Sequence, residues 1–199
     1  MPENEDEEEL IRNPELRLED VRNALSGTVC SGRGSEAAAA RGYNTERLAA
    51  AVFSPNGLFL THKHKPWFDT RSLTKSLHKL TIECKCCIDR YPSGGYGQFR
   101  IWQHSHALLT RADVLRTRER CFYFFCVYTL DNDQFAKEIG KLVVKSHIVD
   151  KVIINWSHIE HPTMGSQHVR DISWRLLLDR LGVSVDQFRE EDLILITER

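Results

Sequence analysis

Leu77-His78-Lys79-Leu80-Thr81-Ile82-Glu83-Cys84-Lys85-Cys86-Cys87 decides how the chain is read. As a β-strand it alternates: Leu80, Ile82, Cys84 and Cys86 project to one face, and Thr81, Glu83 and Lys85 to the other. The first set suits a core. The second mounts a carboxylate and an ammonium two residues apart on one rigid element. That pair can serve metal-assisted chemistry on a phosphate if a further acid stands nearby.

Upstream, that acid is Asp69. It lies in the extended piece Trp67-Phe68-Asp69-Thr70 behind Pro66. Thirteen residues, Arg71, Lys75 and Lys79 among them, separate Asp69 from Glu83. That length suits a strand end, a basic turn and a return strand. Further back, Ser35 to about Val52 is an alanine-rich helix that Ser54-Pro55-Asn56-Gly57 stops. Tyr43, Glu46, Arg47 and Ala50 share one of its sides, so Glu46 is a candidate to reach a site from there. Gly57 to Thr61 is a second short extended piece.

Downstream, Pro92, Gly94, Gly95 and Gly97 mark a loop that leads into Gln98-Phe99-Arg100-Ile101-Trp102, which alternates as a strand. A short helix from Gln103 or His104 to about Thr110 follows. Cys121 to Leu130 is the strongest strand in the chain, and its unbroken apolarity predicts a central strand buried on both faces. Asp131-Asn132-Asp133 turns it, and Lys141 to Val144 returns beside it. Ser146 to Ile153 predicts a short helix, His158 to His168 a loop, Val169 to Trp174 a last short strand, and Trp174 to Leu181 a helix. Ser184-Val185-Asp186 starts one more short helix.

These elements divide the chain into an acidic disordered tail (1–12), a helix opened by Asn13-Pro14-Glu15 with its linker (13–34), an α/β domain (35–183) and a C-terminal extension (184–199). The domain reads as a mixed central sheet of four to five strands flanked by helices. At 199 residues the chain is long enough for a sizeable core. It has no apolar run of about 18 residues, the length of a membrane span. It also has no basic-then-apolar start, so the expectation is a cytoplasmic protein with no membrane partner. Residues 3–9 hold six acids and no base, whereas residues 61–120 hold twelve Lys and Arg against five acids. A basic middle fits a polyanion-binding surface. Lys65, Arg71, Lys75 and Arg100 are its candidate phosphate contacts, with Trp67 and Trp102 either stacking on bases or joining the core. The six cysteines read as reduced, partly buried thiols. Cys84-x-Cys86-Cys87 lacks zinc-ligand spacing, and Cys84 and Cys86 face the core, which disfavours a cysteine nucleophile.

Asp69, the Glu83-Cys84-Lys85 triplet, the buried strand and the preceding helix with Glu46 resemble, in this order, the PD-(D/E)xK or restriction-endonuclease-like nuclease superfamily. Ala40 to Arg47, Trp67-Phe68-Asp69, Gln98 to Trp102 before the helix with His106, and Gly165-Ser166 look most like small haloarchaeal endonuclease-like proteins. Phe68 stands where the motif's name has proline, and the resemblance covers roughly residues 35 to 175. It implies a nuclease acting on DNA with Mg²⁺ or with Mn²⁺ in its place, and it admits a homodimer. Asp69 and Glu83 would hold the metal, Lys85 would act on the attacking water or the developing charge, and Glu46 would assist. Gln103 and His106 would touch phosphate or water. The rival reading is a non-catalytic DNA-binding or protein-interaction module of the same fold.

Overall fold

The computed structural model describes residues 35–53, 67–73, 79–116, 119–131, 135–153 and 155–197. The helix expected after Asn13, the extended piece from Gly57 to Thr61, Lys65 and Lys75 lie outside the described residues.

Helix α1 (Ser35–Phe53) is followed by the antiparallel pair β1 (Thr70–Leu73) and β2 (Lys79–Ile88), with Thr70 opposite Ile82. Strand β3 (Gln98–Trp102) passes directly into helix α2 (Gln103–Leu115), longer than the expected end at Thr110. Strand β4 (Glu119–Asp131) then lies parallel to β2 with Glu83 opposite Tyr123. A parallel neighbour requires a crossover, and β3 with α2 supplies it. Strand β5 (Phe135–Lys145) returns antiparallel to β4. Then come α3 (Ser146–Val152), β6 (Ser157–His161), β7 (Gly165–Ser173), α4 (Trp174–Leu181), α5 (Val185–Glu190) and β8 (Ile194–Ile196).

The main sheet has the order β1-β2-β4-β5-β8, and a smaller antiparallel sheet has the order β3-β7-β6. β4 is the centre, buried from Cys121 to Tyr128 as its apolar run predicts. On one face of the main sheet, Leu48, Val52 and Phe53 of α1 pack against Leu80, Ile82, Phe122 and Phe124. On the other, Tyr123, Phe125 and Val127 meet Phe99, Leu109, Ile148, Trp174 and Phe188. Burying each such Leu or Phe contributes about 1.5–3 kcal/mol relative to leaving it in water. The two faces of β2 divide as its alternation predicts, with Leu80 and Ile82 under α1 and Thr81, Glu83 and Lys85 turned the other way.

One expectation is corrected. His158 to His168 is not a loop: β6 and β7 pair as a hairpin, His158 opposite His168, around a turn whose Gly165 has φ 67°. Most of this ribbon is exposed, so it carries no apolar alternation to betray a strand, and β7 gains its second partner only from distant β3. The segment from Ser184 onward, read as a C-terminal extension, packs on the main sheet. Ser184 caps α5 through its Oγ, Phe188 is buried against β5, and β8 adds a parallel strand beside Leu142–Val144. Gly140 of β5 makes room for this: a Cβ there would come within 2.4 Å of the Phe188 ring. No helix among the described residues is long and apolar enough to cross a membrane.

Candidate active site

Hairpin pairing between β1 and β2 carries Asp69 to β2. Its backbone N–H donates to the Ile82 carbonyl at 3.0 Å, one residue before β1 begins. Its Oδ2 accepts the backbone N–H of Cys84 at 2.7 Å, between Glu83 and Lys85. The Asp69 carboxyl stands close enough to Glu83 to act on it electrostatically. Lys85 Nζ donates to Glu83 Oε1 at 2.5 Å, and the Glu83 and Lys85 side chains are only 8% and 16% exposed.

The charges shape one another. Burial pushes the Glu83 carboxyl above the ordinary carboxylate range; the Lys85 charge pulls it down and Asp69 pushes it up. For Lys85, burial alone would lower the ammonium, but Glu83 and Asp69 outweigh it and hold it above its usual value. Lys85 is therefore a charged donor at neutral pH. Two carboxylates with one ammonium leave an excess of negative charge in a desolvated place, which a hard divalent cation would offset. No group of three or more His, Cys, Asp and Glu suited to a metal occurs among the described residues. Asp69 and Glu83 alone still fit an ion that takes one or two protein carboxylates and fills its other positions with water and phosphate oxygens.

These three side chains form one side of an open cleft of about 460 Å³. Trp102, His104 and Ser105, at the junction of β3 and α2, form a second wall, and Met164 and Gln167 of the β6–β7 hairpin a third. Met164 and Gln167 escape sequence reasoning because their segment reads as loop. The one available signal is a Gly at the end of a short turn between two runs, Ser157–His161 and Gly165–Ser173.

Glu46 is half-buried on α1, within electrostatic reach of Cys84, and is not among the residues lining the cleft. Gln103 is half-buried at the start of α2 and also lies outside that lining. His106 departs further from expectation: it is buried behind the site, with Nδ1 3.0 Å from the Tyr123 hydroxyl and Nε2 3.1 Å from Asp150. Arg71, expected on a phosphate-facing surface, is tied into the fold. Its Nε donates to Thr81 Oγ1 at 2.9 Å, a guanidinium NH₂ donates to Glu119 at 2.6 Å, and its plane lies over Phe68. The desolvated Glu119 carboxylate needs those donors, which outbid the solvent for Arg71. Arg100 is exposed but grips Asp171 with two hydrogen bonds of 2.8 and 2.7 Å. Burial raises the thiols of Cys84, Cys87 and Cys126 well above their usual value, so they stay protonated.

None of the curated proteins compared with the chain matches it. A family model described as the PD-(D/E)XK nuclease superfamily domain matches residues 32–179, a span that runs from the start of α1 into α4 and contains Asp69, Glu83 and Lys85. PD-(D/E)XK nucleases generally use divalent metal ions, in keeping with the carboxylate pair. With three quarters of its length matched and a mixed α/β sheet of the restriction-endonuclease-like kind, the chain belongs to the PD-(D/E)XK nuclease superfamily.

Proposed function

We propose that this protein is an endonuclease that hydrolyses DNA phosphodiester bonds with Mg²⁺, or Mn²⁺ in its place, held by Asp69 and Glu83. The observation that carries this reading is the closure of Asp69 onto Cys84 beside the Glu83–Lys85 pair, at the side of an open cleft. When bound, such a cation makes a water nucleophilic near neutral pH and offsets charge developing on the phosphate.

The protein's own groups supply the rest. Lys85, kept charged by its two acids, donates to the attacking water or to a phosphate oxygen. Asp69 and Glu83 are fixed by backbone and strand, so they meet the substrate already oriented. Trp102 and Met164 offer apolar contact to a sugar or base, and His104 and Gln167 offer polar contact. Glu46 supports the acids from α1. Gln103, Arg100, Lys65 and Lys75 would meet phosphates around the cut. A homodimer would let one assembly cut both strands, and a cytoplasmic location belongs to the same reading.

The test is nicking of supercoiled plasmid in Mg²⁺, with and without EDTA, by the native chain and by Asp69→Ala and Lys85→Ala. Nicking that EDTA and either substitution abolish is the expected result. Nicking that survives both substitutions removes the proposed site. No nicking, with salt-sensitive DNA binding, favours the non-catalytic module.

A further inference from the structure

Helix α2 carries a stripe of side chains that leads away from the cleft. His104, Leu108, Arg111 and Leu115 follow one another at spacings of four, three and four residues, so they share one side of the helix. His104 lines the cleft that holds Asp69, Glu83 and Lys85. The other three, with Trp67, Ala112 and Arg116, line a second pocket of about 370 Å³. Trp67 stands two residues before Asp69, so the pocket is joined to the acids through the chain as well as along α2. From His104 to Arg111 the helix rises about 10 Å. That is about three nucleotides of a stacked strand.

The pocket combines an apolar wall with a cationic rim. Trp67, Leu108 and Ala112 make the wall, and Leu115, 65% exposed, extends it to the surface. The guanidiniums of Arg71 and Arg116 lie 5.6 and 5.9 Å from the Trp67 ring centroid, and both are tied to Glu119, which makes the ring a fixed wall. Arg111 is exposed at the rim. Against the one carboxylate of Glu119 stand Arg71, Arg111 and Arg116, so the pocket keeps an excess of positive charge. The rim suits a phosphate of any nucleic acid. The wall discriminates, because a duplex keeps its base faces in the stack and only an unpaired base has a face to lay on an aromatic ring.

We propose that this pocket holds an unpaired nucleotide of the substrate strand, its base against Trp67 and Leu115 and its phosphate on Arg111, so that DNA with a single-stranded stretch is the preferred substrate. The inference rests on the nuclease reading above and names its substrate class. Negatively supercoiled plasmid opens locally and still offers such a stretch.

The experiment uses the full chain in EDTA and fluorescence anisotropy of a short labelled single strand and of the matching blunt duplex. The native chain should bind the single strand more tightly. Trp67→Leu should weaken single-strand binding about tenfold and leave duplex binding within about twofold. Leu115→Ser, at an exposed position that leaves folding intact, should weaken single-strand binding about threefold. Arg111→Ala should weaken it to a similar degree, and Arg111→Lys should restore most of the loss. Equal losses on both DNA forms in Trp67→Leu and Leu115→Ser overturn the proposal, as do native single-strand binding in Leu115→Ser and Arg111→Ala or tighter binding of duplex by the native chain. Cleavage in Mg²⁺ then separates this proposal from the reading it rests on. Single-strand-selective binding through these residues by a chain that cuts no DNA upholds the pocket and defeats the nuclease reading. Cutting of blunt duplex as readily as of duplex with an unpaired overhang overturns the pocket's role and leaves that reading intact.

Discussion

Cys84 holds Asp69 through its backbone, N–H to Oδ2 at 2.7 Å, so a residue lying just outside a strand is positioned as firmly as one within it. Asparagine can accept the same bond. Asp69→Asn should therefore keep the local geometry while removing one of two crowded negative charges. Nicking should fall by about 100-fold or more, the scale of losing a group that acts on developing charge. Thermal stability should stay level or rise, since Glu83 loses a like-charged neighbour. A melting temperature several degrees lower would mark Asp69 as a structural residue.

Removing Lys85 should do the opposite to stability. Lys85→Met leaves Glu83 buried without its ammonium, and breaking a buried pair from one side costs about 3–5 kcal/mol. Urea unfolding should show a midpoint well below the native one. Glu83→Gln added to Lys85→Met should recover much of the loss without recovering nicking.

The cleft's third wall should matter to substrate binding and not to folding. Met164 is exposed and Gln167 only half-buried, so Met164→Ala and Gln167→Ala should melt at the native temperature. Each should raise KM for DNA by about 3- to 10-fold, about what one or two weak contacts supply. A fall in kcat with KM unchanged would move these residues from holding the substrate to acting in the chemistry.

Glu119 governs behaviour in acid. It is buried beside Thr81 and accepts from Arg71 and Arg116. Burial alone would raise its carboxyl, but the bonds from Arg116 and Thr81 and the charges of Arg71 and Arg116 outweigh this and hold it below the usual glutamate value. An unfolded glutamate titrates near 4.3, so the stabilisation is complete above about that pH and is lost as pH falls through the lower, folded value. Glu119→Gln should be less stable at pH 7, and the gap in melting temperature should narrow as the pH drops below about 4. A gap independent of pH would contradict the assignment.

Gly140→Ala should destabilise by about 1–3 kcal/mol, as overpacking does, because the added methyl meets the ring and backbone of Phe188. Phe188→Leu in the same chain should restore part of the loss. Differential scanning calorimetry of the two variants decides the matter.

Parts of this arrangement are legible in the sequence because they are local. The alternation of Thr81, Glu83 and Lys85 fixes their shared face, and the spacing back to Asp69 fits the hairpin that joins them. β4 declares itself by an unbroken apolar run. The rest depends on partners far along the chain. Arg71 reads as a surface base until Glu119, 48 residues on, comes to face it. Helical spacing places His106 on a face of α2 but cannot name Asp150, 44 residues away. The β6–β7 hairpin is concealed by being polar on most of its surface. β8 is too short, at three residues, to show a period.

The brevity of β8 has a counterpart at the opposite side of the sheet, where β1 has four described residues. The ten-residue β2 and eleven-residue β5 each lie one place in from an edge. Long strands with open hydrogen-bonding sides invite other chains to add on, and short terminal strands leave little to copy. Beside Gly140, where β8 does not reach, Phe188 of α5 stands against β5. The last dozen described residues thus act as a selvedge, finishing the sheet so that it does not unravel into pairing with its neighbours.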